Sequence, residues 1–346
     1  MIDITNTNIE KVSAHYIGNK TNGEELLLSK IPIDISDIRL RELLMRFFLS
    51  PFPEPEFFSF TFTDNNFSLN PVYNFVSEVF DNKKIFHKTS TTIAKYLYEV
   101  SLHPQIKSGD LFITYFSDIN IDGESTEVIG IFKSENRQSF LKLDTDVFSL
   151  LYDDGISIDK LDKGCLIFNI AKSEGYKVCV IDKSNKSAEA QYWKDTFLQI
   201  KPCNDNYHNT QQFLAITKNF VTKQFAEDFE VTKADQIDLL NRSIDYFKTH
   251  DAFEKEEFEK EVFHHPEMID SFRNFDSRYR QNNEIEIEDN FDISSQAVKK
   301  QARVFKSVLK LDKNFHIYIH GNKQMIEKGV EKDGRKYYKI YYNEES

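Results

Sequence analysis

Asp110-Leu111-Phe112-Ile113-Thr114-Tyr115-Phe116 and Glu127-Val128-Ile129-Gly130-Ile131-Phe132 are the stretches on which the fold turns. Their hydrophobic period is two, the period of a β-strand. Residues 139–144, 164–170 and 177–181 continue the pattern. Gly123, Gly155, Gly164 and Gly175 sit in or beside the turns, where a missing Cβ eases chain reversal. Strand-like segments in this succession predict an antiparallel meander. Upstream, 9–17 and 24–29 flank Gly18-Asn19-Lys20-Thr21-Asn22-Gly23 and read as a hairpin. Ser36 is placed to cap a helix whose apolar face is Leu40, Leu43/Leu44 and Phe47/Phe48, ended by Pro51, Pro53 and Pro55. Residues 72–79 and 92–102 also read as helical.

Downstream of about residue 209 the period returns to 3.6. Phe213, Ile216 and Phe220 form one stripe, followed by Phe225 and Phe229. Ile237, Leu240, Ile244 and Phe247 form the next, then Phe258 and Val262. Met268/Ile269, Phe272, Phe275 and Tyr279 form the last, with Pro266 where a first-turn proline is tolerated. Residues 281–292 read as a polar, acidic connector, and the end of the chain as a compact αβ segment. The expected class is α+β: an antiparallel-sheet-rich N-terminal half (1–205), a helical middle (206–292) and a small basic αβ C-terminal segment (293–346).

Whole-chain totals narrow the function. The 346 residues have ordinary globular composition, with 40% hydrophobic and 29% charged residues, which argues against wholesale disorder. Cys165, Cys179 and Cys203 are widely spaced with no CxxC, so they read as buried reduced thiols rather than a disulfide framework or zinc knuckle. The longest run without Asp, Glu, Lys or Arg is thirteen residues, 65–77, short of the roughly 20 a membrane span needs. The N-terminus has no basic or apolar leader pattern. A soluble cytoplasmic protein is expected. The 31 phenylalanines fall mostly at helix or strand spacing and read as core volume rather than as stacking platforms for bases.

Net charge is −12, but it is unevenly spread. Residues 295–342 carry twelve Lys/Arg against four Asp/Glu, a local +8 that leaves −20 on the rest. Residues 251–292 hold fourteen Asp/Glu against five Lys/Arg, a local −9. Such asymmetry points to nucleic-acid contact. One reading runs a helix from a Ser294 cap through Lys310, with Val298, Ala302, Phe305 and Leu309 on one face and Lys299, Arg303, Lys306 and Lys310 beside it. The favoured reading ends the helix near Phe305 and starts a strand at Lys306. Around Asp312-Lys313-Asn314 this pairs Val308 with Tyr318 and Lys310 with His316. The other face becomes Ser307, Leu309 and Leu311 against Phe315, Ile317 and Ile319. Both readings bury the apolar residues and expose the cations. A second hairpin around Asp333-Gly334 adds Lys336 and Lys339. The competing interpretation is a solvated lysine-rich face, or one that pairs with the acidic block.

Motifs of catalysis are missing: no Walker A, no GxGxxG after a strand, no GxSxG and no HExxH. Asp118-Ile119-Asn120-Ile121-Asp122-Gly123 starts like an EF-hand loop, but the twelfth position is Ile129 where a bidentate Glu is required, so it reads as a hairpin turn. His316 and His320 share one side of a strand without a completing ligand. His264-His265 reads as a helix ending, and Asp153-Asp154 as turn residues without a partner base. No catalytic residue, metal or cofactor is expected.

Leu311-Asp312-Lys313-Asn314-Phe315-His316-Ile317-Tyr318-Ile319-His320-Gly321, behind the basic 294–310 segment, resembles the bacterial 37-kDa nucleoid-associated protein family (NdpA, also called YejK). Gln191-Tyr192-Trp193-Lys194-Asp195-Thr196-Phe197-Leu198 is similar to that family's midpoint element. The resemblance implies a chromosome-associated protein that binds nucleic acid without an assigned catalytic centre. The charge distribution adds the contact: Lys299, Lys300, Arg303, Lys306, Lys310 and Lys313, supported by Lys336 and Lys339, gripping phosphates with little sequence specificity. DNA is the expected partner, RNA a second polyanion, and a homodimer would multiply affinity through effective concentration. Two alternatives stand beside this: an adaptor that reaches DNA-processing machinery through its acidic helical region, and an enzyme whose site assembles from distant residues.

Overall fold

Asp110–Phe116 and Glu127–Phe132 become neighbouring strands in the middle of one antiparallel sheet. The computed structural model describes residues 2–52, 56–121, 123–183, 192–283, 285–302, 305, 308–311, 314–318, 325–342 and 344, with backbone alone at 308–310, 316 and 318. They form two units, Met1–Cys203 and Asn204–Ser346.

In chain order the strands of the first unit are β1 (Ile2–Asp3), β2 (Asn8–Ile17), β3 (Leu27–Leu28), β4 (Phe57–Phe60), β5 (Gly109–Ile121), β6 (Glu124–Ser134), β7 (Arg137–Asp144), β8 (Ser149–Ile156), β9 (Lys163–Phe168), β10 (Lys177–Asp182) and β11 (Ile200–Pro202). Its helices are α1 (Ile38–Leu49), α2 (Pro71–Asp81) and α3 (Phe86–Val100). The main sheet runs β11-β4-β10-β9-β6-β5-β2-β3, with β1 also on β5. Helices cover both faces. Leu111, Ile113 and Tyr115 of β5 join the core of α2 and α3, while Phe112 and Phe116 join that of α1. Burial on both sides explains why these strands are almost continuously apolar.

The sheet corrects several local expectations. Segment 139–144 is a strand but does not belong to the meander: among the described residues β7 pairs only with β8, in a separate hairpin. Both edges of β6 are already taken, by β5 and β9, so the sheet offers β7 no partner edge there. Asp153, Asp154 and Gly155 accordingly lie within strand β8 rather than in a turn. The cap of α1 is Asp37, not Ser36; its carboxylate accepts from the Leu40 N–H at 3.0 Å. The third helix starts at Phe86, ahead of Thr92, because a 3-10 turn at Lys83–Ile85 leads into it and no polar cap marks the entry. Asp118 sits at an irregularity of β5 between Phe116 and Ile119, and the reversal itself is at Gly123 (φ +91°). The family-like element at 192–198 is a π-helical turn that buries Tyr192, Trp193, Phe197 and Leu198 in the core. Cys165 and Cys179 are buried and Cys203 is half-buried; none is in a disulfide.

The second unit contains α4 (Asn206–Asn219), α5 (Phe225–Asp228), α6 (Lys233–Thr249), α7 (Lys255–Phe263), α8 (Pro266–Asn282) and α9 (Ser295–Ala302). Thr232 and Asp235 form a capping box on α6, and Pro266 occupies the first turn of α8. Phenylalanine fills this core: the Phe213 ring lies 4.2 Å from that of Phe253 and 5.2 Å from that of Phe258. The acidic connector is tied down at its end, where β13 (Asn290–Asp292) pairs with β12 (Ala252–Glu254). Two hairpins follow, β14 (Val308–Leu311) with β15 (Phe315–Tyr318), and β16 (Ile326–Val330) with β17 (Lys336–Ile340). No helix among the described residues is long and apolar enough to cross a membrane.

Candidate nucleic-acid interface

The basic segment is built on a docked helix. Ser294 Oγ accepts weakly from the Ala297 N–H at 3.4 Å, opening α9. Ala297, Val298 and Phe305 are buried, the last two in the helical core. The Phe305 N–H donates to the Gln301 carbonyl at 3.1 Å; α9 runs to Ala302 and strand β14 begins at Val308, the order of helix then strand in the favoured reading. Lys299 and Lys300 are exposed. The apolar side holds the helix and leaves Lys299 and Lys300 on its exposed side. Lys300 is steadied by Tyr207 of α4: its Nζ donates to the phenol oxygen at 2.9 Å and lies 5.5 Å from the ring centre.

The first C-terminal hairpin has the register of the mixed reading, Val308 opposite Tyr318 and Lys310 opposite His316. Leu311 and Ile317 pack on Ile237 of α6, and so do Ile326 and Tyr338 of the second hairpin. One residue of α6 thus anchors both hairpins. The apolar face is not fully covered, however. Phe315, at the turn end beyond this anchor, is 61% exposed. In the second hairpin Gly334 turns at φ +87°. Lys336 stands opposite Val330, and Lys339 opposite Glu327. Both lysines are exposed. The Lys339 ammonium also lies 4.8 Å from the Tyr341 ring centre. Its hydrogen bond to Tyr341, and then the charge of Glu327, hold its pKa above the usual lysine value.

Of the eight expected contact residues, the structure places Lys299, Lys300, Lys336 and Lys339 on the surface of one unit. Lys310 is placed by its backbone alone. Arg303, Lys306 and Lys313 lie outside the described residues, as does His320 of the histidine pair. The acidic block pairs part of its charge within itself. Glu259 is buried against Arg273 (2.6 Å), and buried Asp276 takes both Lys255 and Arg280 (2.7 Å each).

Sequence spacing missed one convergence in the acidic block. Donor atoms of His250, Glu257 and Glu261 all lie within 4.8 Å of one another. The His250 Nδ1–H donates to the Tyr246 carbonyl (3.0 Å), and the Tyr246 hydroxyl donates to Glu257 (2.9 Å). This leaves His250 Nε2 facing two carboxylates, a donor set suited to a borderline divalent cation such as zinc. The only trace in the sequence is Glu257 and Glu261 at i, i+4 on α7. Half-exposed, the trio serves equally as an ion pair when His250 is protonated, with Nε2 3.9 Å from Glu261.

The family model for nucleoid-associated protein YejK matches residues 13–335, nearly the whole chain. The match takes in the π-helical turn and most of both units, and ends within the basic segment, just before Lys336. No curated protein matches the chain.

Proposed function

The chain belongs to the nucleoid-associated protein YejK family, and from that membership we propose that it acts at the nucleoid by binding DNA through its C-terminal basic face. The observation that carries the reading is the +8 charge of 295–342 on an otherwise acidic chain, with Lys299 and Lys300 exposed on a helix whose opposite side is buried. Lys299, Lys300, Arg303, Lys306, Lys310 and Lys313 grip phosphates, and Lys336 and Lys339 extend the contact. Phosphate contacts fix position without reading bases, so sequence preference is weak and RNA competes as a second polyanion. No residue is assigned a catalytic role. The −20 carried elsewhere confines the contact to this face, and the protein works in the cytoplasm at the chromosome.

The test is charge reversal, Lys299→Glu with Arg303→Glu and Lys306→Glu, in a salt titration on duplex DNA. Affinity is expected to fall at least about tenfold, and the slope of log affinity on log salt to fall by about 0.9 per contact removed. Unchanged affinity and slope would sink the assignment. Reversal is a cleaner test than truncation near Gln281, because α9 buries Val298 and β13 pairs with β12 in the helical unit. A second reading rests on the acidic block: much of its charge stays exposed, including Glu254, Glu256 and Asp270, and would let an adaptor meet a basic partner. Wild-type protein that fails to shift DNA even at low salt favours that reading.

A further inference from the structure

The hairpin β7–β8 stands apart from the sheet and is apolar on both of its faces. Eight large hydrophobic side chains between Arg137 and Ile156 are at least half exposed, Leu141, Phe148 and Tyr152 by 71%, 80% and 78%. Consecutive residues point to opposite faces of a strand, so exposed Phe140 and Leu141 put apolar surface on both sides of β7. Together these side chains present on the order of 900 Å² of apolar-residue surface, divided between the two faces and the connecting turn. A lone two-stranded hairpin in water is also marginal at best; it needs further strands or a covering face. Among the described residues β7 and β8 pair with nothing but each other.

We propose that this hairpin is a dimerisation arm, and that two copies of the chain join their arms into a four-stranded sheet. Edge joining gives each arm the further strands that a lone hairpin lacks, and the exposed apolar side chains flank the joint. Charge argues against a polyanion as the occupant and distinguishes the two edges. The arm's four Asp outnumber Arg137 and Lys142, which disfavours an anionic lipid surface or nucleic acid as its target. On β8, Asp153 and Asp154 lie mid-strand, so two-fold pairing there brings carboxylates together across the axis. Two-fold antiparallel pairing of β7 centred on Phe140 sets that ring against its copy and Lys142 opposite Gln138, with no like charges facing. The joining edge is therefore β7. The inference does not depend on the DNA-binding reading, although a dimer would carry two basic segments to one duplex.

The experiment measures the mass of the full chain by sedimentation across the micromolar range. Twice the chain mass is expected for wild type. Phe140→Arg, which brings two guanidiniums together at the axis, is expected to weaken association at least about a hundredfold. Replacing 138–155 by a short Gly-Ser turn should give a monomer whose main body melts as in wild type. Phe140→Cys should cross-link to a dimer under mild oxidation, with wild type as the control for the native thiols. A wild-type monomer throughout, a dimer unaffected by arm replacement, or a monomer that binds neutral phosphatidylcholine vesicles through the arm would overturn the proposal.

Discussion

Glu135→Ala is expected to destabilise the chain by about 3–5 kcal/mol, because it strands an ammonium that the fold has taken out of water. Lys133 and Lys163 are among the largest fully buried side chains. Lys133 Nζ donates to Glu135 (2.9 Å), to the Lys107 carbonyl (2.5 Å) and to the Tyr192 hydroxyl (3.2 Å). Lys163 is held by Asp182 (2.9 Å), with the other Glu135 oxygen 3.9 Å away. Both ammoniums lie about 5.5 Å from the Tyr192 ring centre. Glu135 is thus the anion shared by both cations. Glu135→Gln, which keeps the hydrogen-bonding shape and loses the charge, should cost less. Lys133→Met combined with Glu135→Leu should recover most of the loss, since a buried pair is often replaceable by apolar volume. The pH dependence has a definite sign. Burial already holds the Lys133 pKa below the usual lysine value, opposed by Glu135. Without Glu135 it drops further, and the unfolded chain then binds more protons between the folded value and the usual one. The variant's deficit should shrink as pH rises through that window. Denaturant melts that place Glu135→Ala within 1 kcal/mol of wild type, on the scale set by ordinary surface substitutions of about 0.5 kcal/mol, would refute the account.

Those lysines also mark the limit of what the sequence could tell. The strands at 110–116 and 127–132 were legible, although burial on both faces writes them as near-continuous apolar runs rather than in the strict period of two that the sequence reading expects. Helical stripes in the second unit were equally legible, down to the first-turn Pro266. Lys133 and Lys163, by contrast, are written like surface residues; their burial follows from strands β6 and β9 lying side by side with Lys133 opposite Lys163. The β7–β8 hairpin was hidden for the opposite reason. Leu141 and Leu143 look like core residues, and nothing local says that both sheet edges they could join are taken. In the basic segment the charge contrast was visible by counting, and the register of β14 on β15 by alternation. The support of Lys300 by Tyr207, 93 residues away in the chain, was not. Nor was the exposure of Phe315, which depends on where α6 stops covering the hairpin.

Acidification should remove about 3 kcal/mol of stability through a single histidine. His15 is 5% exposed at the junction of β2 with α3. The Ser29 N–H donates to its Nδ1 at 3.2 Å, so Nδ1 carries the lone pair and Nε2–H faces the Ser90 hydroxyl at 3.0 Å. That hydroxyl in turn donates to the His87 carbonyl at 2.7 Å. A second proton at Nδ1 has no acceptor and would displace the Ser29 contact. Burial, reinforced by nearby His87, lowers the His15 pKa from 6.5 to about 4. Between those values the unfolded chain binds more protons than the folded one, so stability falls as pH drops from about 6.5 to about 4 and levels off below. At about 1.4 kcal/mol per pKa unit the loss is roughly 3 kcal/mol. His15→Gln keeps an acceptor for Ser29 and a donor for Ser90 but cannot take the proton. Subtracting its stability from that of wild type cancels the titrating groups that do not interact with His15, and the difference should shift by about 3 kcal/mol across this window. Parallel wild-type and variant curves between pH 7 and pH 4 would show that His15 does not stay neutral in the fold, and with it the hydrogen-bond direction inferred from Ser29 would fail.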